Sequence, residues 1–497
     1  MQLPAIHLAV MQPSGFVHSL GFLDQARYFR YQFRRLGATV TLGKNRLRED
    51  AVNFVFGAHL GFPAAWQQRH ACIFVNLEQL DGTSHAQTYV DLLARSAVVD
   101  YDPLNLPVYT RDPASIPLVP FLHAPYLDDD AAMRIASRPI DLLFFGSVSG
   151  RRKSFIDRIE ACGVQVTHFD RPLYGPERDA FVQQAKAVLN CHYYETSRFE
   201  QARAFPALSL GTPVISERTA CTTPAPAYED AVFWVDDASI EGFFTDEFRS
   251  PAFAQRAEQK LAAFRQHDPI DAYAELLSFA QGFAQGFAST RTPGPWRPIA
   301  MNLGSGRDYL PNWLNVDVLE RAEPDVVLDL SEPLALPARL ASRLGGHVLL
   351  EADSLVRVHA GNVLEHVRDL AALMTNLLAL LAEGGELSVE VPYEHSPTAW
   401  RDPSHVRAMN ESSWIYYTEW FWHLGWFSHR FEMTASQWLD LQMNPCDRAD
   451  AAFMRVTLRK VSTSPNERSV ARTMQADFGQ LPDDTLYADE PVAQAAA

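Results

Sequence analysis

A pair of glycines follows an apolar run near residue 300, and an aspartate stands a short distance beyond it. The run IAMNL leads into Gly304-Ser305-Gly306. A Gly-x-Gly turn at the carboxyl end of a parallel strand lets the backbone come close to a nucleotide-like ligand. Asp317 lies in the next run, NWLNVDV, at a strand end where a carboxylate can accept hydrogen bonds from two ribose hydroxyls. These residues predict a nucleotide-type site, and a tight turn without a ligand is the alternative.

Further motifs follow these glycines in a fixed order. The segment DVVLDLSEPLALP places Asp329 at another strand end, and GNVLEHV, GGE, LSVEVP and DPSHVR come after it. In this order the set resembles the class I S-adenosylmethionine (SAM)-dependent methyltransferases that act on small molecules and glycans. The resemblance covers nearly all of residues 296–462 and implies SAM as the cofactor. Residues 307–309, RDY, stand where the fuller motif has a third glycine.

The resemblance implies a role for each motif. The glycine segment wraps the methionine part of SAM, Asp317 holds the ribose, and Asp329 or its neighbour faces the adenine. The GNVLEHV segment lines the site. The implied cofactor contacts are Leu303, Gly304, Ser305, Gly306, Asp317, Asp329, Leu330, Asn362 and Leu364.

Two histidines are candidates for proton transfer. Methyl transfer is an in-line displacement in which positioning supplies much of the rate, but a hydroxyl acceptor also needs a general base. Histidine is the usual base near neutral pH, and His366 and His405 lie in the VLEH and DPSHVR segments. Either one is predicted as the base. The alternative is that His366 packs locally and His405 orders a loop.

Aromatic residues crowd the segment WIYYTEWFWHLGWF, residues 414–427. A helix that packs into the core is the first interpretation. A platform that stacks a sugar or an apolar acceptor is the alternative.

A second group of motifs lies before residue 220. The segments are FFGSVSGRR, LNCHYYETSRFEQAR and ALSLGTPVISE. A diphosphate is bound well by backbone N–H groups at a helix start together with arginine, which can donate two hydrogen bonds. The candidates are Gly146, Ser147, Arg151 and Arg152. Glu200 and Arg203 are one helical turn apart and share a face, with a surface ion pair as the alternative.

In this order the second group resembles the donor half of GT-B glycosyltransferases. The resemblance implies a nucleotide-sugar donor, with its diphosphate near the glycine-serine turn and a carboxylate near the sugar or ribose. The family's E-x7-E pattern falls here on Arg198 and Pro206. His18, in MQPSGFVHSL, lies where the acceptor loops of that family occur. It is predicted as a base, with an ordinary loop histidine as the alternative.

Strands alternate with helices along the whole chain, which predicts an α/β fold with three Rossmann-like doubly wound domains. The best-marked helix covers residues 24–36, with Asp24 at its start and Gly37 after its end. The predicted divisions are a GT-B-like pair at 1–136 and 137–288, a linker at 289–298, a methyltransferase domain at 299–462 and a disordered tail at 463–497.

The composition excludes several classes of partner and site. The formal net charge of −17 argues against nucleic acid and anionic membranes. The five cysteines include no CxxC pair, which argues against a disulfide framework or a zinc site, and no metal is predicted. The first residues read as a strand rather than a signal peptide, and no run reaches the length of a membrane span. The chain is expected to be cytoplasmic.

The motifs together predict a bifunctional transferase that uses a nucleotide sugar and SAM on a glycan or small-molecule acceptor. One alternative is a methyltransferase whose GT-B-like region only binds a glycan or nucleotide sugar. The other is a scaffold without activity. The oligomeric state has no signal in the sequence.

Overall fold

The computed structural model describes residues 3–13, 15–81, 86–129, 133–148, 150–169, 171–290 and 294–475. The chain divides into two compact units, Met1–Thr292 and Pro293–Ala497. Each unit is a mixed α/β fold built on parallel sheets, which confirms the predicted class. In the part of the chain that is described, no helix is both long and apolar enough to cross a membrane.

The N-terminal unit contains two five-stranded parallel sheets. The first sheet consists of β1 (Ile6–Val10), β2 (Val40–Lys44), β3 (Val52–Phe56), β4 (Ala71–Val75) and β5 (Ala97–Val99). The second consists of β6 (Ile140–Leu143), β7 (Val166–Thr167), β8 (Ala185–Asn190), β9 (Val214–Glu217) and β10 (Phe233–Val235). The strand orders are β2-β1-β3-β4-β5 and β7-β6-β8-β9-β10, the 2-1-3-4-5 order of doubly wound folds. In both sheets the order reverses beside the first strand, where a crevice opens at the carboxyl edge.

Helices cover the faces of these sheets, which is why β1, β3 and β4 are buried along their whole length and apolar except for His7 and Asn53. The helices of this unit are α1 (Leu23–Arg35), α2 (Gln87–Ala94), α3 (Leu106–Tyr109), α4 (Gly150–Ala161), α5 (Gly175–Gln184), α6 (Gln201–Ser209), α7 (Pro226–Ala231), α8 (Ile240–Gly242), α9 (Ala252–Phe264) and α10 (Ile270–Thr290). Helix α1 begins one residue before its predicted start, so Asp24 lies in the first turn, where it pairs with Arg178 instead of capping. Gly37 follows the helix at φ +79°, as predicted.

Helix α10 joins the two halves of the N-terminal unit. The fully buried ring of Tyr273 lies 5.2 Å from that of Phe29 and 6.0 Å from that of Phe33, both on α1. The predicted boundary at residue 288 assigned all but the last two residues of this helix to the second domain. Its first turns instead pack on the first, because their aromatic face is buried there.

The C-terminal unit is built on a seven-stranded sheet. Its strands are β11 (Ala300–Leu303), β12 (Leu314–Asp317), β13 (Val326–Val327), β16 (Leu355–Gly361), β17 (Leu381–Pro392), β18 (His429–Leu439) and β19 (Phe453–Ser462), with a separate hairpin of β14 (Ala338–Ala341) and β15 (His347–Leu350). The order is β13-β12-β11-β16-β17-β19-β18, and β19 runs antiparallel to both neighbours. The first five strands have the 3-2-1-4-5 order, which reverses between β11 and β16. The helices are α11 (Leu370–Leu380), α12 (Ile415–Thr418) and α13 (Pro465–Gln475).

Two predicted boundaries around this unit are wrong. Residues 289 and 290 of the expected linker form the last turn of α10, and the Trp296 N–H donates to the His347 carbonyl at 2.7 Å. The predicted disordered tail contains α13, because Ser464 and Glu467 form a capping box and Ala471 is fully buried in the core. Residues 476–497 of that predicted tail lie outside the described residues.

A buried histidine in the first sheet couples folding to pH. His7 on β1 is 3% exposed, and its Nε2–H donates to the Arg46 carbonyl at 3.1 Å. Its Nδ1 accepts from the Thr41 hydroxyl at 2.7 Å. Burial lowers the pKa of His7 to about 4, so the folded chain holds this ring neutral.

We expect acid to destabilise the N-terminal unit through His7. Between pH 6.5 and 4 the unfolded chain binds a proton that the folded chain does not, so stability falls as the pH falls. The loss is about 2 kcal/mol at pH 5. Urea denaturation of wild type and His7→Gln at pH 7.5 and pH 5 measures it, and the variant should lose less stability than wild type. The exposed His168→Gln is the control. Equal losses in all three proteins would contradict the role of His7.

Candidate functional site

The glycine turn of the C-terminal unit lies where the strand order reverses. Gly304 follows β11 at φ +63°, and a Cβ atom there would come 2.2 Å from Cγ2 of Val363, which follows β16. Glycine is therefore required, because the two connections approach closer than any side chain allows. Residues 304–313, all of them described, form turns and contain no helix. Any ligand here would therefore meet a loop instead of a helix N-terminus.

Asp317, at the end of β12, holds this turn in place. Its Oδ2 accepts from the Gly306 N–H at 2.9 Å, and its Oδ1 accepts from the Leu319 N–H at 2.8 Å. The side chain is buried, and each carboxylate oxygen keeps a lone pair. Ser305 beside it is 4% exposed, and its Oγ has no hydrogen-bond partner among the described residues. The turn thus presents a carboxylate and an unsatisfied hydroxyl.

The other predicted cofactor contacts differ in where the structure places them. Asn362 has φ +53° and donates its N–H to the Glu390 carbonyl at 2.8 Å, so it lies at the same sheet edge as Gly304. Asp329 is exposed and accepts from the backbone and the hydroxyl of Ser331. The side chains of Leu303, Leu330 and Leu364 are buried in the core.

Two histidines and a glutamate meet at this same edge. The turn Leu364–His366 follows β16, and the Val406 N–H donates to the Glu365 carbonyl at 2.9 Å, which docks the DPSHVR loop on it. The rings of His366 and His405 lie 4.7 Å apart between centroids, and Nε2 of His405 is 4.0 Å from Oε1 of Glu365. The structure therefore brings together both predicted base candidates. The structure also places Glu365 beside them. Its position directly before His366 in VLEH is the sequence feature that could have identified it.

The hydrogen bonds of the two histidines fix their tautomers. Nδ1 of His405 lies 2.8 Å from the Ala399 carbonyl, which can only accept, so Nδ1 carries the proton. The Ser404 hydroxyl donates to Asp402 at 2.6 Å and therefore accepts from Nδ1–H of His366 at 3.1 Å. In the neutral rings each Nε2 then holds a lone pair. Burial raises the pKa of Glu365 to about 7.

The aromatic segment 414–427 forms short turns around α12 instead of one helix. Trp414, Tyr417, Phe421 and Trp426 are buried, which agrees with the core interpretation. The rings of Tyr416 and Trp420 are 45% and 42% exposed, so part of the segment remains on the surface.

The N-terminal unit contains a cleft of about 960 Å³ between its two sheets. Six predicted site residues line it: His18, Gly146, Ser147, Arg152, Glu200 and Arg203. The first follows β1, and Gly146 and Ser147 follow β6. Each is the first strand of its sheet, beside which the crevice opens.

Two arginines share one carboxylate at the base of this cleft. Glu200 lies 3.7 Å from Nη2 of Arg152 and 2.9 Å from Nη2 of Arg203. A Cβ on Gly146 would come within 3.4 Å of both guanidinium groups. Burial, and then the charge of Arg203, lowers the pKa of Arg152, which is 4% exposed. Two positive charges against one negative charge leave a site that favours an anion.

Arg151 does not join this group. Its guanidinium makes a double hydrogen bond to Glu217, which also accepts the His192 N–H at 3.0 Å, and Arg151 does not line the cleft. In this structure both Nη groups of Arg151 donate to Glu217, so of the predicted diphosphate contacts Arg151 is the one that does not line the cleft. His18 lies at the cleft with Nδ1 2.9 Å from the Tyr174 hydroxyl.

Sequence reasoning missed several residues of the cleft. Tyr174 directly precedes α5 and Arg178 lies in its first turns, and the Tyr193 ring lies 5.0 Å from the guanidinium carbon of Arg152. The two tyrosines at 193 and 194 stand in the motif LNCHYYETSRFEQAR, but only the fold brings the Tyr193 ring to Arg152.

Comparison with known proteins gives weak likenesses. No family model matches the chain. The uncharacterized proteins L140 and L137 of Acanthamoeba polyphaga mimivirus are 24% identical over 153 residues and 27% identical over 128 residues. These matches cover 29% and 24% of this chain. The chain spans 48% of the first relative and 16% of the second.

Two kinds of solved structure are similar. A SAM-dependent methyltransferase from Archaeoglobus fulgidus is 14% identical, with a TM-score of 0.22, over 32% of this chain and 85% of that one. Anabaena HepE in complex with UDP and glucose is 11% identical, with a TM-score of 0.38, over 58% of this chain and all of that one. At these values the likeness concerns the α/β fold with parallel sheets alone.

We expect Gly304→Ala to destabilise the C-terminal unit by about 2–4 kcal/mol, because the left-handed backbone and the overlap with Val363 both carry a cost. Gly425→Ala is the matched control: Gly425 has φ +73° and nothing within 4 Å of its added Cβ, so about 1 kcal/mol is expected. Urea denaturation measures both. The double variant Gly304→Ala/Val363→Ala should be more stable than the sum of the single effects predicts. Strict additivity would show that the close approach is absent.

Proposed function

We propose that the C-terminal unit, chiefly residues 299–462, is a SAM-dependent methyltransferase. The observation that supports the proposal is the turn at Gly304. This turn lies where the strand order reverses, packs closely against Val363, and is hydrogen-bonded to the carboxylate of Asp317. A ligand of nucleoside type is bound at this place in doubly wound sheets. The order of the motifs from IAMNL to DPSHVR favours SAM over a dinucleotide.

The residues present fit this cofactor. The Ser305 hydroxyl has no described partner, and Asp317 keeps lone pairs on both oxygens. When bound, SAM supplies an activated methyl group. The part played by the chain is to orient the acceptor and remove its proton, and Nε2 of His366 or His405 has the free lone pair that this requires.

SAM or S-adenosylhomocysteine should stabilise the protein by about 2.7 kcal/mol when present at 100 times its Kd. Asp317→Ala should weaken binding roughly 10- to 100-fold, since a hydrogen bond to a charged group is lost. A thermal shift, taken against each variant's own ligand-free Tm, measures this. Asp440→Ala is the matched control, because Asp440 also accepts two backbone N–H groups, in a turn elsewhere in the unit. No shift at saturating SAM would end the proposal.

We also propose that the N-terminal unit binds a nucleotide sugar and transfers its glycosyl group. The specific observation is the pair Arg152 and Arg203, which share Glu200 beside Gly146 in the cleft. A diphosphate would receive the fork of each arginine, and His18 is the candidate acceptor base across the cleft. The product would be a glycan or a glycosylated small molecule that the other unit then methylates. Joining both activities in one chain raises the local concentration of the intermediate.

UDP- and GDP-sugars should be tested by calorimetric titration. Arg152→Ala and Arg203→Ala should each weaken the binding of the preferred donor at least tenfold, because a charge-assisted hydrogen bond is lost. Arg218→Ala is the control, since Arg218 also pairs with a glutamate and stacks on an aromatic ring but lies outside the cleft lining. Binding without turnover would favour a glycan- or nucleotide-sugar-binding module. No binding here and none of SAM would favour the scaffold.

A further inference from the structure

We propose that Glu365, His366 and His405 form a binding site for a divalent transition-metal ion at the carboxyl edge of the C-terminal sheet. Each offers one ligand atom, and these atoms all lie within 4.8 Å of one another. The site needs no SAM to bind its ion. Its use in activating an acceptor rests on the proposed methyltransferase function.

The strongest indication is the carboxylate of Glu365. Its side chain is 1% exposed, and neither oxygen has a hydrogen-bond partner among the described residues. A buried charge without a partner is strongly unfavourable, so buried carboxylates are normally paired or bound to a metal. The group facing it is Nε2 of His405, at 4.0 Å, which is too long for a hydrogen bond.

That spacing suits two ligands of a shared ion. Zn²⁺ lies about 2.1 Å from nitrogen and oxygen ligands, which places tetrahedral ligands about 3.4 Å from each other. Side-chain rotations that shorten the present distances by roughly an ångström would close the site around an ion. Such rotations meet little resistance at His366, which is partly exposed.

The partners of the two imidazoles prepare them as ligands. His405 donates Nδ1–H to the Ala399 carbonyl, and His366 donates Nδ1–H to Ser404, which is itself bonded to Asp402. Metal-binding histidines usually donate their second N–H to a carbonyl or toward a carboxylate in this way, which fixes the tautomer and the ring orientation. Both Nε2 lone pairs are therefore available without any change of protonation in the neutral rings.

The ligand types select among metals. Two imidazoles and one carboxylate suit Zn²⁺, Mn²⁺, Fe²⁺ or Co²⁺, whereas Mg²⁺ and Ca²⁺ prefer sites made of oxygen alone. Three protein ligands leave a coordination position open for a substrate hydroxyl. An ion here would bind the Nε2 lone pairs of both histidines, so neither could act as the base. The ion would take over this role by lowering the pKa of the substrate hydroxyl. The prediction of no metal rested on cysteine spacing, and this cluster contains no cysteine.

The test is titration of the chelator-treated full chain with Co²⁺, followed by its visible absorption, and with Zn²⁺ by calorimetry. We expect one ion per chain with the absorption of a protein-bound, low-coordinate Co²⁺. Glu365→Gln and His405→Gln should each weaken binding at least tenfold. Ser404→Ala should weaken it by roughly tenfold, because the orientation of His366 is lost.

The control is His429→Gln. His429 lies 3.4 Å from Glu383, closer than the pair in the proposed site, but both are partly exposed, and this pair is not part of the three-ligand group. Its loss should leave the affinity and the absorption unchanged, and circular dichroism should show that every variant is folded. The proposal is overturned if no Co²⁺ binds, or if Glu365→Gln and His405→Gln bind it as wild type does. The SAM thermal shift is measured without added metal, so failure of either proposal leaves the other standing.

Discussion

Parallel strands cannot be joined by tight turns, and this constraint shapes every candidate site in the chain. Each connection must cross over a face of the sheet, and where successive connections leave toward opposite faces the carboxyl edge opens into a crevice. All three parallel arrays have such a point beside their first strand. The predicted residues follow those strands: His18 after β1, Gly146 after β6 and Gly304 after β11. The chemistry is thus gathered by topology from segments that are distant in sequence.

The absence of a side chain has different consequences at Gly304 and at Gly146. At Gly304 the obstacle is the side chain of Val363, so the absence of a Cβ lets two strand connections touch. At Gly146 the neighbours are the guanidinium groups of Arg152 and Arg203, so the same absence leaves the backbone beside two positive charges. The first arrangement closes a loop beside the carboxylate of Asp317, and the second prepares a site for an anion. Similar motifs therefore lead to different binding properties.

Ion pairing determines which arginines of this acidic chain are available to bind an anionic ligand. Arg178 is held by Asp24 and Asp179, and Arg198 by Asp102. The pairs with Asp24 and Asp102 link the two halves of the N-terminal unit, because Asp24 on α1 and Asp102 after β5 belong to the first half. Arg178 on α5 and Arg198 before α6 belong to the second. Where two arginines share a single carboxylate, as Arg152 and Arg203 share Glu200, local positive charge remains. A net charge of −17 is compatible with an anion site for this reason.

The sequence by itself determined the alternation of strands and helices, the glycine turns and the positions of Asp317, Glu200 and Arg203, because each depends on local backbone needs or on periodicity. It could also have shown the capping box at Ser464 that begins α13. Tertiary structure decided the rest. Arg151 is bound by Glu217, 66 residues away, while Arg152 faces the cleft. His405 reaches Glu365 because the loop that carries it docks on the turn after β16 through backbone and side-chain hydrogen bonds. Such pairings depend on which surfaces the fold brings together, and no local pattern records them.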